Sequence, residues 1–261
     1  MTEALKVRTF MSKTLSGKVA LVTGGSRGLG AAVAETLADQ GADVAISYVA
    51  STGKAKALVE KLKAKGVRAI AIQCDQAETA AARPMVDKVI DELGRLDILI
   101  NNAAIAVQGK LIDDPTADDA ALDRQWMVNV LGTIAVTRAA AQKISDGGRI
   151  VFIGSGLGTR ALFPGVADYA GTKAAIAGYA RGVQRDLGRR NITVNVVQPG
   201  IMPTDMADAA AKHLPEALLD MHPIRRIATV EEVAAAVSYL VSPMAGYTGG
   251  TIIDVSGGVL V

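Results

Sequence analysis

Seven short apolar runs, each set off from the next by a stretch with helical character, limit what this chain can fold into. They are Lys18 to Thr23 (KVALVT), Asp43 to Ser47, Val67 to Gln73, Leu96 to Ile100, Ile150 to Ile153, Asn191 to Val197 and Thr251 to Val255. A continuous apolar run suits a strand buried on both faces of a parallel sheet, where an antiparallel sheet with one wet face would alternate. Between the runs, Ala31 to Leu37 reads as a helix closed by Gly41, and Gly53 to Lys65 as a helix with a basic outer face. A long helical pattern spans Asp118 to Ile144, another continues from the Tyr169 region to about Gly188, and Thr229-Val-Glu-Glu232 reads as a capping box that opens the last helix. The alternation predicts an α/β fold: a doubly wound parallel sheet of seven strands in the order 3-2-1-4-5-6-7, with helices on both faces. A sheet covered on both faces accommodates 261 residues in one domain. We assign residues 16–261 to that domain and residues 1–15 to an N-terminal extension. The extension carries Lys6, Arg8 and Lys13 but no apolar segment of the kind a secretory signal needs, so the expected location is cytoplasmic.

Composition narrows the function classes. With 50% hydrophobic and 21% charged residues the chain reads as a soluble globule, and no run approaches the length of a membrane span. A formal charge of +2 and 3% aromatic residues argue against a nucleic acid partner. Cys74 is the sole cysteine and His213 and His222 the sole histidines, so neither a disulfide framework nor a common zinc site is expected. Cys74 reads as a small buried apolar residue.

Between the first run and the first helix lies GGSRGLG, with glycines at 24, 25, 28 and 30. Gly24 suits a tight turn, Gly28 a close approach of backbone N–H groups to a pyrophosphate, and Gly30 a close approach of helix and strand. A dinucleotide site that selects NAD places a carboxylate at the end of the second strand to hold the ribose 2′-hydroxyl. This chain has none there: no acid occurs between Asp43 and Glu60, while Arg27 sits in the turn and Lys54 and Lys56 follow. A guanidinium attracts a 2′-phosphate and pairs with it bidentately, so NADPH is expected over NADH.

Tyr169 and Lys173 stand four residues apart, on one face of a helix and about one turn from each other. Such a pair is often only packed or solvated. In a site, an ammonium beside a phenol favours the phenolate, so Lys173 is expected to lower the pKa of Tyr169. Ser155 follows the fifth run, where a hydroxyl at a strand end is placed to hydrogen-bond a carbonyl oxygen.

The string TGGSRGLG, the later Asn101-Asn102-Ala103-Ala104, the Ser155, Tyr169 and Lys173 set, and Pro199-Gly200 occur in matching order. Together they resemble the short-chain dehydrogenase/reductase family from about Ser16 to the C-terminus. The resemblance implies a Rossmann-type domain, an NADP-preferring carbonyl reductase and a homo-oligomer, expected as a tetramer whose contacts involve the last helix and strand. It implies cofactor contacts from Gly24, Ser26, Arg27, Gly28, Leu29 and Gly30, from Tyr48 and Ser51 beside the 2′-phosphate, and from Asn102, Ala103 and Ala104. Pro199, Gly200 and Ile201 follow, with Thr204 on the nicotinamide carboxamide and with Tyr169 and Lys173 at the ribose. Asp75 and Gln76 are expected among the cofactor contacts, at the adenine; Asp75 has a second, compatible reading, with Glu78, as a helix-capping box, and Gln76 stands where relatives more often carry an apolar residue. Ala104 replaces the family's glycine, and Asn101 resembles a residue that bridges strands. The resemblance assigns Tyr169 as general acid, Ser155 to the carbonyl oxygen, Lys173 to tuning the tyrosine, and Asn129 to a water leading to Lys173. Ser155, Gly156, Leu157, Met202 and Met206 are expected to meet the substrate, a small carbonyl or alcohol, under a lid running from Asp205 to Pro223. No metal is expected. The rival reading is a nucleotide-binding regulatory protein that retains the fold with little turnover.

Overall fold

The computed structural model describes residues 13–203 and 216–261. Seven strands form one all-parallel sheet in the order β3-β2-β1-β4-β5-β6-β7. They are β1 (Val19–Val22), β2 (Asp43–Tyr48), β3 (Ala69–Gln73), β4 (Ile98–Asn101), β5 (Arg149–Ile153), β6 (Thr193–Pro199) and β7 (Ile252–Val255). The helices are α1 (Gly28–Asp39), α2 (Thr52–Lys63), α3 (Ala82–Leu93), α4 (Asp119–Trp126), α5 (Thr133–Ala141), α6 (Ala167–Leu187), α7 (Glu216–Asp220) and α8 (Val230–Val241). Each expected strand is present, shifted by two residues or fewer at its ends.

The strands read as apolar runs because successive side chains enter two different cores. In β1, Ala20 and Val22 pack with α1, α2 and α8 on one face, whereas Val19 and Leu21 pack with α3, α5 and α6 on the other. Thr229 and Glu232 exchange both bonds of the expected capping box at the start of α8. The long pattern from Asp118 differs from a single helix: α4 runs into a π-helical stretch, Met127–Gly132, before α5 resumes ordinary geometry. After β3 the chain crosses back to lay β4 beside β1, so the winding reverses direction between β1 and β4, which opens a crevice at the carboxyl ends of these strands. Among the described residues, no helix is long and apolar enough to cross a membrane.

Candidate active site

One cavity of about 560 Å³ occupies that crevice. Its floor at one end is the turn between β1 and α1. Gly24 adopts φ +63° there, and a Cβ on it would lie 2.9 Å from the Ala103 Cα. A Cβ on Gly30 would sit 2.5 Å from the Gly24 carbonyl oxygen and 2.6 Å from Asn102 Nδ2. Gly30 therefore lets α1 press on the turn itself and on Asn102, not on a strand as the sequence reading had it. Asn102 locks the turn by donating to the carbonyls of Thr23 (2.8 Å) and Gly24 (3.2 Å). The start of α1 receives no side-chain cap, and Arg27, Gly28, Leu29 and Gly30 all face the cavity. Uncapped N–H groups at a helix N-terminus form an anion site, so these residues fit a pyrophosphate.

Ser26, Tyr48, Ser51, Asp75, Gln76, Ala103 and Ala104 line the same cavity, as do Pro199, Gly200, Ile201 and Met202. Thr204, Met206 and most of the expected lid lie outside the described residues. No carboxylate ends β2: Ser47 is buried, and its hydroxyl accepts from the Gly24 N–H at 3.2 Å. Among the described residues the one acid of the lining is Asp75, which is paired with Arg124 at 2.7 Å and accepts from Ala77 N–H at 2.9 Å. The hydrogen bond from Arg124 comes first among the causes that hold its carboxyl below the usual range. The capping box expected from Asp75 and Glu78 is not formed, because the Asp75 carboxylate is turned to Arg124 and Glu78 makes no side-chain cap. Cys74 is only half-buried and borders the cavity, where burial raises its thiol pKa.

At the other end stand the catalytic candidates. Ser155, Gly156, Leu157, Tyr169 and Lys173 all open onto the cavity that holds the glycine turn. Ser155 Oγ accepts from the Leu157 N–H at 3.2 Å, which orients the hydroxyl and leaves its proton to donate elsewhere. Lys173 is buried, donates to the Ile153 carbonyl at 3.0 Å, and lies 5.6 Å from the centre of the Tyr169 ring. Desolvation lowers its pKa to about 8. The Tyr169 pKa moves opposite to expectation: burial raises it, with the hydrogen bond to Ser155 pulling the other way. Spacing had placed the lysine beside the phenol, but its ammonium is aimed at a backbone carbonyl, and removal of water outweighs it.

Asn129 does not line the cavity but shapes its wall from within the π stretch. Its Oδ1 accepts from Ile105 N–H, and its Nδ2 donates to the Ile105 carbonyl, each at 2.9 Å. The second amide hydrogen reaches Thr172 Oγ1 at 3.2 Å, whose own proton goes to the Tyr169 carbonyl at 2.7 Å. One helical turn earlier, Gln125 Oε1 accepts from Val107 N–H at 2.6 Å, so two amides clamp the wall segment 105–107. Asn101 joins β4 to α5 through Thr137 at 3.0 Å instead of bridging strands. Trp126 Nε1 donates to Asp168 at 2.8 Å, tying α4 to α6.

Sequence reasoning missed Arg124, Gln108, Leu162, Phe163, His222 and Val259 in the lining. They come from loops and from distant parts of the chain, and no spacing rule joins them to the glycine turn or to Tyr169.

Comparison with known proteins identifies the family. A family model described as Enoyl-(Acyl carrier protein) reductase matches residues 24–260. The 3-oxoacyl-acyl-carrier-protein reductase FabG of Staphylococcus aureus is 37% identical over 244 residues, covering 92% of this chain and 97% of the relative. Versicolorin reductase stcU of Emericella nidulans is 37% identical over 256 residues, covering 94% and 96%. A short-chain dehydrogenase from Burkholderia cenocepacia J2315, crystallised in complex with NADP, superposes with a TM-score of 0.89 at 46% identity, covering 95% of this chain and 100% of that one. The chain belongs to the short-chain dehydrogenase/reductase family and is an NAD(P)-dependent oxidoreductase acting on CH–OH and C=O groups.

Proposed function

We propose that this protein is an NADPH-dependent carbonyl reductase, able to run in reverse as an alcohol dehydrogenase. The observation that carries the reading is that Ser155, Tyr169 and Lys173 open onto the same cavity as the glycine turn. The turn and the uncapped start of α1 would hold the pyrophosphate of NADPH, with Asn102, Ala103, Ala104, Pro199, Gly200 and Ile201 along its length. Arg27, Tyr48 and Ser51 line the cavity beside a β2 that ends in Ser47-Tyr48 without a carboxylate, which suits a 2′-phosphate. Structural relatives crystallised with NADP and NADPH support this preference.

When bound, the cofactor supplies the hydride. Ser155, whose hydroxyl is hydrogen-bonded to Tyr169, would turn its proton to the substrate carbonyl oxygen, stabilising the oxyanion as charge develops. Tyr169 would donate the proton that completes the alcohol; with a raised pKa it holds that proton through neutral pH. Lys173, fixed by the Ile153 carbonyl, would hold the nicotinamide ribose beside Tyr169. The Asn129 side chain spends both amide hydrogens on protein partners, so a relay water beside it would rest on Oδ1 or on the main-chain carbonyl. Leu157, Leu162, Phe163 and Met202 give the substrate region an apolar wall.

The test is loss of NADPH absorbance over a panel of ketones, with the parent compared against Tyr169→Phe. Turnover in the parent and its loss in the variant, with cofactor binding retained, supports the assignment. A Phe variant keeping more than roughly a tenth of the parent rate removes Tyr169 from the acid role. A parent that binds NADPH yet consumes none with any ketone would be a nucleotide-binding regulatory protein.

A further inference from the structure

The side chain of Gln76, which sits just past β3, is buried in the cavity wall and reaches across to the helix that carries Asn129. Its Nε2 shares two hydrogens among the Val128 carbonyl at 2.8 Å, Thr133 Oγ1 at 3.1 Å and the Ala103 carbonyl at 3.2 Å. Val128 and Thr133 bracket the π stretch, one inside it and one just after, and Ala103 belongs to the loop after β4. The contact is possible only because residue 132 lacks a side chain. A Cβ on Gly132 would fall 2.0 Å from the Gln76 carbonyl oxygen and 2.6 Å from its Cγ. Helices bend where a side chain inserts against their ladder or where an extra residue forms a π turn, and both conditions coincide here.

We infer that Gln76 is a positioning residue: wedged into the notch at Gly132, it maintains the π turn that aims Asn129 at Ile105 and Thr172, and so sets the wall beside Tyr169. This rests on the reductase reading for its kinetic consequences but not for its structural one. The geometry accounts for each partner. An ordinary helix through 127–132 would rotate Asn129 away from Ile105, because a π turn inserts about one residue, roughly a quarter of a helical turn. Without the amide donor, the buried Val128 carbonyl and the half-buried Ala103 carbonyl lose a partner, which favours rearrangement over retention. The Asn129 bonds to Thr172, and through it to the first turn of α6, would then be lost on the side where Tyr169 stands.

Gln76→Met keeps the length and removes the donor. The expected result is a fall in kcat of roughly tenfold or more, with the Kd for NADPH within about threefold of the parent. Its crystal structure should show residues 127–132 as an ordinary helix and Asn129 detached from Ile105. Gln76→Glu faces the same carbonyls with an acceptor; its kcat should lie below that of the Met variant at neutral pH and recover as acid restores a donor proton, a pH response the Met variant lacks. A Met variant with parental kcat, or one whose structure keeps the π turn and the Asn129 bonds, overturns the inference; should that variant fail to fold, a Glu variant with a flat pH profile does the same. If the parent reduces no ketone, the reductase reading fails, while the structure of Gln76→Met still decides the role of the wedge.

Discussion

The Lys173 ammonium lies 5.6 Å from the centre of the Tyr169 ring and bonds to the Ile153 carbonyl at 3.0 Å, so the two residues share a wall without sharing a proton. Both are shifted by the removal of water. The lysine is pushed down to about 8 and the phenol is pushed up.

The lysine shift makes stability depend on pH. A Lys in the unfolded chain titrates near 10.4, so between about pH 8 and pH 10.4 the unfolded state binds more protons and stability rises with pH. Below that window the buried ammonium costs about 3 kcal/mol, an order-of-magnitude figure from the depressed pKa. Lys173→Met removes the titration along with the bond to Ile153. Denaturant unfolding of cofactor-free protein at pH 7 and pH 10 should therefore show the parent gaining on the variant by up to about 3 kcal/mol as pH rises. Parallel curves would mean that Lys173 is not desolvated in solution.

The phenol shift predicts opposite behaviour for the two reaction directions. Reduction needs the proton on Tyr169, which burial retains, so kcat/KM for a ketone should be flat from about pH 6 to pH 8. Oxidation of the alcohol needs the proton gone and should climb toward alkaline pH. Initial rates in both directions across that range check this, and an oxidation rate that saturates below neutrality would contradict the burial argument.

Gly30→Ala tests the turn. Its methyl would meet the Gly24 carbonyl at 2.5 Å and Asn102 Nδ2 at 2.6 Å, one of them backbone and the other held by two hydrogen bonds. Overpacking of this kind costs typically about 1 to 3 kcal/mol. The variant should melt several degrees lower and show a raised KM for NADPH, with kcat changed less. An unchanged KM would place the pyrophosphate elsewhere.

Beside the end of α8 and the start of the edge strand β7, Tyr239, Met244 and Tyr247 expose apolar surface, with Tyr247 fully open to solvent. A neighbouring copy of the chain would cover this face, in keeping with the expected tetramer. Sedimentation at assay concentration should show an oligomer, and Met244→Glu with Tyr247→Glu should lower its order. An active monomer of 26.9 kDa in the parent would refute the assembly.

The sheet was legible because strands buried on both faces read as apolar runs, and the glycine turn because Gly24 and Gly30 answer to contacts a few residues away or one strand across. The π turn was not legible. It depends on Gln76 meeting Gly132 across the sheet edge, and nothing in the helical pattern from Asp118 marks the break. The Asp75 capping box failed for a related reason: Arg124, far along the chain, claims the carboxylate. For Tyr169, spacing identified the neighbouring lysine but carried no information on burial, and burial decides the sign of the shift.

Cofactor choice follows from the charges around the start of α1. Ser47 and Tyr48 end β2 without a carboxylate, Asp75 is neutralised by Arg124, and Arg27 faces the cavity. A charge-assisted hydrogen bond contributes about 1.5 to 3 kcal/mol and each 1.4 kcal/mol is about a factor of ten, so one contact from Arg27 to a 2′-phosphate predicts roughly ten- to a hundredfold discrimination. Arg27→Ala should raise the KM for NADPH far more than that for NADH. An aspartate should act further in the same direction by repelling the phosphate, and Tyr48 is the position for it. Ser47 is buried and holds the Gly24 N–H, so a charge there would be desolvated and would disturb the turn itself. The measurement is kcat/KM with both cofactors for the parent, Arg27→Ala and Tyr48→Asp. Equal efficiencies in the parent would end the NADPH assignment, and an unchanged ratio in Arg27→Ala would transfer the phosphate contact from the arginine to Ser51 or to the backbone N–H groups of the turn.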